Sequence, residues 1–128
     1  MDNEEEYKSY VFDFEKLNVY QLAISFNTEA INTVKSLPTA LRFSLGNNFV
    51  RAAISVVSNI AEGSGKKSKS EKKLFYGYAL TSARECIPTI TILHQQKCID
   101  EIAKDSLRAQ CIKICNMLGK LIGSVERQ

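Results

Sequence analysis

Five lysines and one glutamate fall within eight residues, Lys66 to Lys73. The cations are Lys66, Lys67, Lys69, Lys72 and Lys73, set against Glu71 alone, for a net +4. Such a run can neutralise a phosphate backbone. The preceding Gly63-Ser64-Gly65 can bring amides close to an anion. Ser68-x-x-Glu71 reads as a capping box, so the lysines stand around a helix N-terminus. Positive charge there opposes the helix dipole, at a cost of about 0.3–1 kcal/mol per charge. A local rule broken without visible structural gain points towards function. The plainer reading is a solvated loop that keeps the protein soluble. Phe75, Tyr76 and Tyr78 follow on the helix and none is interleaved with the lysines, so base stacking is not indicated.

A second constellation is polar. On a helix Arg51, Ser55, Asn59 and Glu62 share one face. Acid–base or nucleophilic chemistry would need a proton carrier beside them, and the one histidine, His94, is remote in sequence. A polar network that fixes the register of packed subunits accounts for the stripe better. Glu85, midway along the next helix, is the expected partner of Arg51. His94-x3-Cys98 and Cys111-x3-Cys115 offer four zinc-type ligands on paper. In a hairpin turning near Ile99 the two pairs sit at depths that differ by roughly 10 Å at 1.5 Å per residue. Buried, reduced cysteines are the better reading. Neither a metal nor a cofactor is expected, and an enzyme is the least supported class.

The rest of the chain must position these groups. It has 128 residues, 45% apolar and 24% charged, enough for one soluble domain with one core. Asp2, Glu4, Glu5 and Glu6 make residues 1–12 an acidic tail. Residues 7–128 carry 17 positive and 10 negative groups, a moderately basic body that can meet anionic partners. The acidic start is no secretory signal and no run of about 18 apolar residues exists, so a cytoplasmic protein without a membrane partner is expected.

Residues 13–128 read as four helices. The first runs from Asp13 or Phe14 to Leu37, with Val19, Ala23, Phe26, Ala30, Val34 and Leu37 on one stripe, and Pro38 ends it. The second runs from Thr39 or Ser44 to Glu62, closed by Gly63-Ser64-Gly65 with glycine in a left-handed cap. The third runs from Ser68 or Ser70 to Gln96 on a stripe of Phe75, Ala79, Cys86, Ile90 and Leu93, bent at Pro88. The fourth runs from Asp100 to Glu126. Its Leu107, Cys111, Ile114, Leu118, Leu121 and Val125 form a heptad seam. Short connections predict an all-α fold, an antiparallel up-down-up-down four-helix bundle. Phe43–Ala61 holds one charged residue, Arg51. Its second face is small and polar rather than charged, so both sides of that helix are expected to be covered, the second by another subunit.

Arg51–Gly65, RAAISVVSNIAEGSG, resembles the signature of the four-helix-bundle proteins encoded within 23S rRNA intervening sequences. Phe14–Ala23, FEKLNVYQLA, resembles that family's first-helix motif. Ser68, Glu71, Phe75, Ala79, Ser82 and Glu85 fit its third helix, while Thr81 and Asn48 depart from it. The similarity spans roughly residues 14–125. It implies a bundle assembling as a ring, usually a homopentamer. It also implies relatedness to the accessory proteins of diversity-generating retroelements, which bind nucleic acid and a reverse transcriptase.

The expected function is therefore a non-catalytic, ring-forming protein that binds RNA or a nucleoprotein through Lys66, Lys67, Lys69, Lys72 and Lys73. Arg51, Ser55, Asn59, Glu62 and Glu85 are its expected subunit interface. The alternative is a homo-oligomeric scaffold whose main partner is a protein. Salt separates the two, because backbone binding weakens steeply with ionic strength and apolar docking does not.

Overall fold

The computed structural model describes residues 3–128 and is all-α, with no strand among the described residues. Of the acidic tail, Met1 and Asp2 lie outside the description. Four long helices form a helical bundle: α1 Asn18–Lys35, α2 Asn47–Gly65, α3 Lys69–Gln95 and α4 Glu101–Glu126. α1 packs on α2 and α4, and α3 packs on the same two. The stripes read from the sequence meet in one core. At its centre Phe26 of α1 meets Phe49 of α2 edge-on, with ring centroids 5.9 Å apart. Beside them Asn27 is buried, and its amide nitrogen donates to the carbonyls of Ala23 at 2.9 Å and Ala53 at 2.8 Å. That side chain ties α1 to α2 by a hydrogen bond inside the core, where an unmade bond would be costly.

The first helix starts later than the sequence predicts. Asp13–Lys16 is a 3-10 turn and Leu17 is extended, so α1 begins at Asn18. The cause is local. The Glu15 carboxylate accepts the Phe12 amide at 2.7 Å and pins the turn shut. Within the acidic tail, Glu4–Ser9 form a short helix with no buried residue. α1 ends at Lys35, before Pro38. Arg42 then reaches back to donate to the Leu37 carbonyl at 3.1 Å. This places a cation over a helix C-terminus, the favourable end of the dipole. Thr39–Leu41 and a wide turn at Arg42–Gly46 lead into α2. Gly46 is buried there, and a Cβ on it would stand 2.8 Å from Val34 Cγ1, so the close approach of α1 requires glycine.

The end of α2 corrects the expected glycine cap. The helix runs on through Gly65, Lys66 is extended, and no described glycine has a positive φ. Gly63 serves packing instead, since a Cβ would come within 2.7 Å of the Tyr76 ring. That space explains a second correction. Tyr76, not Phe75, is the buried aromatic of α3, and Phe75 is only half-buried. α3 is a single helix that continues through the exposed Pro88. Ser68 caps it, accepting the Glu71 amide at 3.2 Å and donating to the Glu71 carboxylate at 3.1 Å.

The left-handed cap lies at the other end of α3, on Lys97 with φ 61°. The Cys98 amide donates to the Leu93 carbonyl at 2.9 Å and the Lys97 amide to His94 at 3.0 Å, the two bonds of a Schellman closure. A β-carbon pays for that conformation and glycine does not. Lys97→Gly is expected to raise stability by about 0.5–1 kcal/mol. Thermal unfolding of the two proteins side by side measures it, and a lower midpoint for the variant would refute the assignment.

Candidate nucleic-acid interface

The five lysines lie around the turn from α2 to α3, and the structure divides them by what they touch. Lys72 is half-buried, and its ammonium donates to the Ser64 carbonyl at 3.0 Å. It stands on the first turn of α3 but rests on the C-terminal carbonyls of α2. The unfavourable end of one helix dipole is thus offset by the favourable end of another. Lys66 pairs with Glu62 at 3.5 Å and lies over the Phe75 ring, 4.9 Å from its centroid. Lys73 pairs with Glu126 at the end of α4 at 3.3 Å. Lys67 and Lys69 are exposed, with no ion pair or side-chain hydrogen bond among the described residues. Three lysines therefore clip the turn to the bundle, and two project from it.

The polar stripe is divided likewise. Asn59 donates to the Ser55 carbonyl at 2.9 Å and to the Ser55 hydroxyl at 3.0 Å. Ser82 of α3 donates to the same hydroxyl at 2.8 Å. Ser55 and Asn59 thus belong to a hydrogen-bonded seam between α2 and α3. Arg51, Ser55, Ser82 and Glu85 line a groove of about 490 Å³ over that seam, together with Asn48 and Thr89. Arg51 and Glu85 are both exposed, and among the described residues no ion pair joins them, contrary to the sequence expectation. Glu62 pairs with Lys66 one turn along its own chain at 3.5 Å.

The family model for 23S rRNA-intervening sequence proteins matches residues 15–120, most of the chain. This protein belongs to that family. A crystal structure from Bacteroides thetaiotaomicron, described as a protein of unknown function from the S23 ribosomal protein family, has the same fold. It superposes with a TM-score of 0.76 at 21% identity, covering 82% of this chain and 95% of that one. No curated protein matches the chain.

In this intervening-sequence family member Cys86 and Cys111 are buried, and Cys98 and Cys115 are partly so. Cys111 is buried beside Cys86, whose thiol together with burial pushes the Cys111 thiol far above its usual value. Burial likewise raises Cys115, with Arg84 opposing it. His94 meets Glu101 across the α3–α4 turn at 2.9 Å rather than facing Cys111. No three metal-ligating side chains converge among the described residues, and no described helix is long and apolar enough to cross a membrane. Burial raises the Tyr76 phenol, while Ser64 pulls the other way.

Ser82, Phe75, Glu126 and the Ser64 carbonyl were not singled out as partners from the sequence. Only Ser82 carried a usable signal. It is a polar residue beside the apolar stripe of α3 and so a candidate for the seam.

Proposed function

We propose that the protein is a non-catalytic homo-oligomer, a ring of five copies, that binds RNA or a nucleoprotein through the α2–α3 loop. The observation that carries this reading is the pair Lys67 and Lys69, which have no partner among the described residues and project from a loop that Lys66, Lys72 and Lys73 anchor. A fixed loop presents its charges without paying to order them on binding. Each bundle is read as up-down-up-down. The contacts of Lys72 with Ser64 and Lys73 with Glu126 support this by bringing the ends of α2 and α4 to the start of α3. The subunit interface is read as the α2–α3 groove with Arg51, Ser55, Asn59, Glu62 and Glu85, extended over the outer face of α2. Fivefold repetition sets ten free lysines along one surface, so contacts that are weak singly act together.

The test is fluorescence anisotropy with a mixed-sequence single-stranded RNA at two salt concentrations. Each phosphate contact to a single strand contributes about 0.7 to the slope of log affinity against log salt. Lys67→Gln with Lys69→Gln is expected to weaken binding at least tenfold and to flatten that slope, with the assembly intact. Equal binding by the two proteins would remove the loop from the site. No binding by either would favour the protein-scaffold reading, for which Phe43 at 71% and Ile102 at 81% exposure are the most exposed large apolar side chains among the described residues.

A further inference from the structure

We propose that the N-terminal arm, residues 3–12, docks on a second copy of this chain, in the apolar groove between the start of α1 and the end of α4. This inference rests on the assembly reading above.

The arm is built like half of an interface. Its short helix Glu4–Ser9 buries nothing, and Tyr10, Val11 and Phe12 remain 66%, 51% and 55% exposed. Covering their remaining apolar surface favours association. Its base is nevertheless fixed. The rings of Tyr10 and Phe12 meet edge-on at 5.1 Å, Phe12 stacks on Phe14 at 5.4 Å, and Phe14 meets Tyr20 edge-on at 5.1 Å. The ladder and the Glu15 bond hold Phe12 on its own 3-10 turn, so the arm is presented rather than collapsed. It is also acidic: Glu5 pairs with Lys8 at 3.5 Å, and Glu4 and Glu6 have no cation partner among the described residues.

The body carries a matching surface. Leu17, Val19, Met117 and Leu121 line a groove of about 290 Å³ with Lys120 at its edge. Lys120 and Lys113, one heptad apart on α4, are exposed and have no carboxylate partner among the described residues. An apolar floor with a cationic edge suits an aromatic segment with an acidic edge, and charge of opposite sign steers and orients such a pair. With Glu4–Ser9 helical at about 1.5 Å per residue and the other four residues extended at about 3.3 Å, the arm reaches roughly 22 Å, about two helix diameters, enough to meet an adjoining bundle. In the proposed ring each arm meets the groove of the next copy, a heterologous contact that repeats around it.

The experiment uses the full chain with a benzophenone amino acid in place of Phe12, irradiated in dilute solution, beside light scattering on the wild type. Benzophenone inserts readily next to thioether sulfur, and Met117 lies in the groove. The expected product is a covalent dimer whose crosslink maps to the peptide containing Met117. As a second readout, Phe12→Ser lies outside the core and is expected to keep the melting temperature while speeding subunit exchange at least tenfold. If the wild type is assembled but the crosslinks are intramolecular or map to Lys66–Lys73, the arm inference is overturned and the assembly reading survives. Unchanged exchange in Phe12→Ser overturns it as well. A monomeric wild type would overturn both.

Discussion

Asn27→Asp is expected to lose roughly 3–5 kcal/mol of stability at neutral pH, the scale for an uncompensated buried charge. The Asn27 amide donates to two carbonyls from the two helices it joins. An ionised carboxylate there would face both oxygens with no proton to share. Its folded-state pKa would therefore rise above the unfolded value near 3.9. The native state then holds the proton more tightly than the unfolded state. Stability is greatest below the unfolded pKa and is lost as pH rises from there through the folded pKa. Urea midpoints at pH 4 and pH 7 measure this. A variant equally stable at the two values would show that the side chain is not buried against these carbonyls. Asn27→Leu, which brings no charge, should cost less and show no such pH dependence.

Ile54→Lys is expected to split the proposed ring into folded monomers. Ile54 is 48% exposed on the outer face of α2, between the exposed Arg51 and Ser58. A lysine there costs the free bundle little, because surface substitutions usually stay within about 0.5 kcal/mol. Buried against another copy, the same charge would cost several kcal/mol, enough to reverse association at micromolar concentration. Ser55→Lys is the informative contrast. It would break the hydrogen bonds from Ser82 and Asn59 and pry α3 from α2, so the fold itself should weaken. Light scattering gives the mass and circular dichroism the melting temperature. An Ile54→Lys protein that stays assembled would remove the outer face of α2 from the subunit contact.

The parts of the fold legible in the sequence were those where a repeat decides the answer. The α4 seam from Leu107 to Val125 alternates by fours and threes, and all its members are buried except Leu121, which is partly so. The cap at Ser68 announced itself by residue type. Other features depended on a second element. Phe75 and Tyr76 are adjacent aromatics about 100° apart on one helix, and the choice between them was made by the space at Gly63 on another helix. Lys97 adopts a conformation for which lysine gives no signal. Within the candidate site, the lysine cluster was visible as composition, but its division was not. The partner of Lys72 is a backbone carbonyl, and carbonyls have no letter in a sequence. For the same reason the lysines looked costly at a helix start when one of them rests on a helix end.

The clip between Lys72 and Ser64 closes a span of 8 residues, whereas the contact of Gln110 with Glu29 closes 81. On loop-entropy grounds alone the shorter closure is cheaper by about 2 kcal/mol. Chains build near contacts before distant ones. The α2–α3 and α3–α4 hairpins, the second closed as locally by His94 and Glu101, should therefore condense early, with the lysines already in place, and α1 should clasp them afterwards. Hydrogen exchange followed during refolding would then protect amides around Tyr76 before those of α1.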